Sequence, residues 1–515
     1  MSSEQGGRPE RAHGAGNSRG SRQGGARRDA AGRERNRSGG PRSFSQQAPS
    51  QRSRAADPAR LVAFEVLRAV SADDAYANLV LPSRIRNHRL DRRDAGFATE
   101  LAYGALRAQG TYDAVLARCV DRPLTELDPA LHDALRLGVH QLLAMRVPAH
   151  AALDQTVGLV RAVVGAGPSS LANAVLRRVS AKDFPQWLDE LVPEGSEETA
   201  AASIRYAHPE WIVRAFRQSL VAHGRPVSEI TALLEADNAA PVVTLVALPG
   251  LGTLDEAFDA GFTAGGLAPD SALSAGGDPG RLAGVRAGTT RIQDAGSQLV
   301  ARALAAVGLP GPESGDGARW LDLCAGPGGK AALLAALAAE QGATLLANEP
   351  AEHRAKLVRQ ALAAVPAESW SVRTGDGRDL GAEQPERFDR ILVDAPCTGL
   401  GALRRRPEAR WRRTPADVAE LGPLQRQLLD SALAAVRPGG VVAYVTCSPH
   451  PAETTAVVHD ALRKHPGVEL LDAGAALDAV SMGGPLGAGH DGTAQLWPHL
   501  HGTDAMFLAL LKKKD

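Results

Sequence analysis

From Asp57 to about Ser180, apolar residues return at i, i+3 and i+4, the period of a helix with one buried face. The runs 60–67, 97–106, 131–139, 151–160 and 171–178 all carry it. Residues 57–182 are therefore predicted to form an all-helical module, with Pro148 and Gly167-Pro168 as breakers between helices. Glu194 to Thr199 reads as an acidic linker, and the alternating stretch 242–248 reads as a strand within a linker and small α+β segment over 200–290. Beyond Arg291 the period changes again. Strands are predicted at 320–324, 343–347, 370–374, 389–394 and 441–445, with helices at 331–340, 352–364 and 424–436. Strands separated by single helices predict an α/β domain over 291–515, with a parallel, doubly wound sheet and right-handed crossovers.

Composition changes this picture in three places. At 515 residues, two or three domains are expected, and no apolar run approaches the ~20 residues that cross a bilayer. No membrane partner is expected, and a cytoplasmic location is the default. Four cysteines, Cys119, Cys324, Cys397 and Cys447, argue against a disulfide framework, and no Cys-x-x-Cys or His/Cys cluster offers a metal site. The formal net charge is +0, yet residues 1–56 concentrate arginine among Gly, Ser and Gln. Such a tail cannot bury a core, is expected to stay disordered, and can bind phosphate in a salt-dependent way.

The candidate chemistry lies at predicted strand ends. The turn Cys324-Ala325-Gly326-Pro327-Gly328-Gly329-Lys330 follows a strand containing Asp322 and opens a helix, so backbone can approach a ligand closely. The next strand ends in Glu349, about where a ribose would present its hydroxyls. The third leads to Asp376, expected near the exocyclic amine of an adenine. This is neither G-x-G-x-x-G nor a Walker loop, since Ala331 follows Lys330. Loop, Glu349 and Asp376 at three consecutive strand ends fit S-adenosylmethionine best, with Asp394 at the end of a further strand. Two later runs, 393–399 and 444–449, each put a cysteine, Cys397 or Cys447, just past a buried strand.

Residues 57–182 resemble the NusB family in the register of Asp91-Arg92-Arg93-Asp94 and of 173–177, which implies an RNA-binding helical bundle. Residues 57–513 resemble the Sun/Fmu family of RNA cytosine-5 methyltransferases, anchored at 293–298, 324–330, 394–401 and 446–448. That resemblance implies a Rossmann-like class I fold, S-adenosylmethionine as cofactor, and RNA, expected to be 16S rRNA, as substrate. It also implies roles. Carbon 5 of cytosine is a poor nucleophile until a thiolate adds at carbon 6 and makes the ring enamine-like. In the family the cysteine of Thr-Cys-Ser attacks and that of Pro-Cys helps resolve the adduct, which carries over to Cys447 and Cys397, with Asp394 beside the base.

DNA cytosine methyltransferases use the Pro-Cys cysteine instead, so the opposite assignment stays open. So do a tRNA substrate and a non-catalytic NusB-like RNA-binding or assembly factor. Several positions depart from the family pattern: Gly326 and Ala331 in the glycine loop, Thr398 after Pro-Cys, and Thr454 where asparagine is common. Between motif and helix, Arg404, Arg405, Arg406 and Arg410 are expected to meet RNA phosphates, with Trp411 packing or stacking. A monomer is expected.

Overall fold

The computed structural model describes residues 56–274, 276–309 and 317–515; the arginine-rich tail at 1–55 lies outside them. Seven helices open the described chain: α1 Pro58–Ala72, α2 Ala77–Asn87, α3 Arg92–Arg107, α4 Gln109–Cys119, α5 Pro129–Leu143, α6 Ala149–Val163 and α7 Ala166–Val179. Their starts follow from capping chemistry. Asp57, Asp91 and Asp128 each accept a hydrogen bond from a first-turn backbone N–H, and proline stands at the first position of α1 and α5. Gly167 and Pro168, expected between helices, instead lie in the first turn of α7, where a proline removes no intrahelical bond. One core, with Leu67, Leu101, Leu116, Leu135 and Leu176 buried, unites the bundle.

Helices at 184–191, 198–205, 210–222 and 230–238 follow, and Glu197 caps the second of them inside the predicted linker. Strands β1 Thr244–Ala247, β2 Thr263–Ala264, β3 Ser271–Leu273 and β4 Thr290–Ile292 then form a small antiparallel sheet in the order β2-β3-β1-β4.

The remaining strands are β5 Arg319–Asp322, β6 Thr344–Glu349, β7 Trp370–Thr374, β8 Phe388–Asp394, β9 Val436–Thr446, β10 Val468–Leu471, β11 Gly489–His490, β12 Thr493–Gln495 and β13 Phe507–Lys513. They make one sheet in the order β11-β12-β13-β9-β8-β5-β6-β7, with β10 also on β13. The run β9-β8-β5-β6-β7 is parallel, as the alternation predicts. The sheet as a whole is mixed, because β13 pairs antiparallel with β9 and carries β10 and β12 along its other edge. Short return strands after a helix-poor stretch carry too weak a period to be read beforehand. Hydrophobic layers fill both faces of the sheet. Because β5 to β9 run parallel, their C-terminal ends all open on one edge.

The arginine-rich segment after β8 has a different use from the one expected. Arg410 is fully buried; its guanidinium donates to the Arg107, Ala207 and Asp237 carbonyls and, at 2.8 Å, to Asn238 Oδ1. Trp411 donates its indole N–H to the Leu106 carbonyl and packs on Gly110, where an added Cβ would lie 2.3 Å from the ring. Arg404 is buried and donates to the Gly502 carbonyl, and Arg405 pairs with buried Asp504. Only Arg406 of the four is exposed without an ion pair among the described residues, its guanidinium 5.2 Å from the Tyr76 ring centre. Arg410 thus ties the catalytic region to the preceding helices, while Arg404 and Arg405 brace it internally against Gly502 and Asp504. Arg410→Ala strands four buried acceptors, and we expect it to destabilise the protein by about 3 kcal/mol. A fall in the urea midpoint of the full chain measures this.

No helix among the described residues is long and apolar enough to cross a membrane.

Candidate active site

The glycine loop leaves β5 and enters the helix Gly329–Glu340. Two of its glycines bring the loop backbone into close contact, and Gly328 has a conformation that glycine alone adopts without strain. Gly328 has φ +109°, and a Cβ there would stand 2.4 Å from the Ala361 Cβ. A Cβ on Gly326 would lie 2.1 Å from Glu349 Oε2. The loop backbone and the buried Glu349 carboxylate at the end of β6 therefore meet face to face, with Arg354 3.5 Å from the same oxygen. Asp376 follows β7 on the same edge, but a bidentate pair with Arg378 holds it below the usual carboxylate range. Asp322 ends β5 fully inside; burial, then the neighbouring Asp394 carboxylate, pushes it up to about 8, and its Oδ2 has no partner. Cys324 and Ala325 begin the loop, the Cys324 thiol raised well above its ordinary value by burial.

On the other side of β5, Asp394 ends β8 and accepts a 2.8 Å hydrogen bond from Lys330 Nζ. Burial opposes the Lys330 charge, yet Asp394 holds its pKa above the ordinary value, so the ammonium stays charged. Beside it, β9 ends at Thr446, which brings Cys447 next to Cys397 with the two sulfurs 3.5 Å apart. Both thiols are only partly covered. They are not equivalent. The contact between the sulfurs, in which either can donate, lowers the Cys447 pKa against burial and the nearby Asp394 charge, and Lys330 adds a favourable positive charge. Cys397 is raised well above its ordinary value by the same contact, by burial, and by the carboxylates of Glu453 and Asp394. Of the two sulfurs, Cys447 is thus the one more readily ionised.

Three groups that hold this pair were not singled out from sequence. Glu453, fully buried, accepts from the Thr398 backbone N–H at 2.8 Å and from its hydroxyl at 2.5 Å, clamping the loop after Cys397. Gln425 donates to both the Pro396 carbonyl and Glu453. Asp504, with Asp294 accepting from its backbone N–H, anchors Arg405, whose charge also acts on Cys447. An acid inside the apolar run after Thr446-Cys447-Ser448 was the available signal for Glu453. Thr454, standing where asparagine is common, turns its hydroxyl to the His450 carbonyl.

The site as built is a cysteine pair, one member activated, facing a Lys–Asp pair beside a glycine loop and an acid-lined edge. With its helical bundle in front, this is the layout of a two-module methyltransferase. Residues 57–181 match the NusB family and residues 312–512 match the 16S rRNA methyltransferase RsmB/F family. The "Putative methyltransferase Rv1407" of Mycobacterium tuberculosis is 51% identical over 90% of this chain and 98% of its own length. The ribosomal RNA small subunit methyltransferase B of Erwinia tasmaniensis is 30% identical over 88% of this chain and 98% of its own. The crystal structure of PH0851 superposes with a TM-score of 0.73 over 89% of this chain and 99% of its own, at 22% identity, a likeness of fold. The chain belongs to the 16S rRNA methyltransferase RsmB/F family and is a methyltransferase.

Proposed function

We propose that this enzyme transfers a methyl group from S-adenosylmethionine to carbon 5 of a cytosine in small-subunit ribosomal RNA, through a covalent bond between Cys447 and carbon 6. The observation that carries the reading is the sulfur pair, 3.5 Å apart, with the lowered pKa on Cys447 and the Lys330–Asp394 pair beside it.

The edge fits the cofactor. The glycine turn brings the loop backbone against Glu349, which supplies acceptors for ribose hydroxyls; Asp376, also paired with Arg378, supplies an acceptor for an amine, and Asp322 an unpartnered buried oxygen for a polar group. Bound there, S-adenosylmethionine supplies a sulfonium methyl. The chain's own groups do the rest. The Cys447 thiolate adds to carbon 6, and its electron pair flows through the ring to carbon 5. Asp394 and Lys330 supply hydrogen bonds and charge at the edge of the base as electron density builds there. After transfer, a water molecule takes the carbon-5 proton, the C–H electrons return to the ring, and the Cys447 sulfur leaves carbon 6 as a thiolate that the neighbouring Cys397 S–H stabilises. Carbons 5 and 6 are reached only on an unstacked base, so the target cytosine is in a loop or flipped out.

The test is methyl incorporation from labelled S-adenosylmethionine into small-subunit rRNA, with transfer RNA in parallel, and bisulfite mapping of the product. One protected cytosine in the rRNA is expected. Label at a position other than carbon 5, or in transfer RNA alone, overturns the reading.

A further inference from the structure

Four arginines stand at one corner of the helical bundle with nothing to neutralise them. Arg86 lies in the last turn of α2, Arg89 in the turn that follows, and Arg92 and Arg93 in the first turn of α3. All four are exposed, and among the described residues none has an ion pair or a side-chain hydrogen bond. Two of the acids nearby are otherwise engaged, and Asp94 in the first turn of α3 leaves the corner net positive against four cations. Asp91 caps α3 through the Asp94 N–H, and Glu65 is shared by Arg84 at 3.4 Å and His88 at 3.1 Å.

Three of the four break a local rule. Arg89 has φ +52° just past the C-cap of α2, and Leu90 N–H closes onto the Ile85 carbonyl, the position where glycine is the unstrained choice. An arginine there costs about 1 kcal/mol. Arg92 and Arg93 put cations at the positive end of the α3 dipole, a further few tenths of a kcal/mol each. The fold would be more stable without them, which points to a use outside the fold.

We propose that this α2–α3 corner is a phosphate-binding surface that grips the RNA substrate while the target base is at the cysteines; the inference rests on the proposed function. The corner is tied to the site by more than sign of charge. Helix α2 begins directly after Tyr76, whose ring lies 5.2 Å from the Arg406 guanidinium and 5.6 Å from that of Arg412, both on the segment that follows the Cys397 loop. From there α2 rises about 15 Å to the corner, a span a short single strand covers. Exposed guanidinium groups with free forks match phosphate oxygens.

The test measures binding of a fluorescein-labelled, unstructured RNA oligonucleotide of mixed sequence to the full chain by anisotropy across a salt series. The triple variant Arg86→Ser, Arg92→Ser, Arg93→Ser is expected to raise Kd roughly tenfold and to flatten the salt slope by about 2, since each lost single-strand phosphate contact is worth about 0.7. Arg89→Gly is expected to raise Tm while raising Kd two- to threefold, a pairing that a merely structural arginine would not give. Unchanged Kd and salt slope in the triple variant overturn the proposal, as they would if the corner served an acidic protein instead. Methyl transfer by the unaltered enzyme is assayed alongside. Its absence sinks the cytosine reading, whereas full transfer with unaltered affinity in the variants sinks only this surface.

Discussion

Cys447→Ala is expected to lower methyl transfer to rRNA by roughly a thousandfold or more, a loss of at least about 4 kcal/mol of transition-state stabilisation. Without a thiolate at carbon 6, carbon 5 has no electron pair to offer, and no other nucleophile stands at this edge in a lowered state. The neighbour cannot substitute well. Cys447→Ala removes the sulfur contact that does most to raise Cys397, but burial and the Glu453 and Asp394 carboxylates still oppose its ionisation. The fold should tolerate the change, because the side chain lost is small and only partly covered. S-adenosylmethionine binding, measured by calorimetry, should also persist, since the glycine loop, Glu349 and Asp322 lie on β5 and β6, away from the end of β9. The measurement is initial rate with labelled cofactor, read with that binding control. Retained activity in Cys447→Ala, with loss in Cys397→Ala, would assign the attack to the other cysteine.

The parts of this site that could be read from the chain share one property: they are local. Buried parallel strands read as short apolar runs, so β5, β6, β7, β8 and β9 were predicted within a few residues at most ends, and the residues just past them fell on one edge as a parallel sheet requires. The glycine loop was legible because its conformations exclude side chains. The arginine run was misread for the converse reason. Whether Arg410 meets water or the carbonyls of Arg107 and Ala207 depends on segments some 200 to 300 residues away, and no period in the run itself encodes that. Glu453 escaped for a similar reason, since its partner Thr398 lies 55 residues earlier, on another strand's loop. The asymmetry between the two thiols was equally invisible, because it arises from the contact between two sulfurs 50 residues apart and from burial, with Lys330 and Glu453 adding to it. Family resemblance supplied the assignment that local patterns left open, and the two cysteine variants are its test.

Cys397→Ala is expected to do the opposite of Cys447→Ala: bind RNA, add to it, and fail to let go. The adduct can collapse only when the carbon-5 proton is removed and the sulfur of Cys447 departs, and Cys397 is the polar side chain that touches that sulfur. Its loss should not displace the loop that carries it, because Glu453 and Gln425 hold that loop through Thr398 and the Pro396 carbonyl, contacts that do not involve the thiol. Addition should proceed, since Lys330 still favours the Cys447 thiolate even though the hydrogen bond from Cys397 is gone. The measurement is denaturing gel electrophoresis after incubation with rRNA and S-adenosylmethionine. A protein–RNA band that survives detergent is expected from Cys397→Ala, and none from Cys397→Ala combined with Cys447→Ala, because the bond that resists detergent is the one Cys447 makes. A band that persists in the double variant would mean that neither sulfur forms the bond, and the covalent mechanism would have to be rebuilt around another nucleophile.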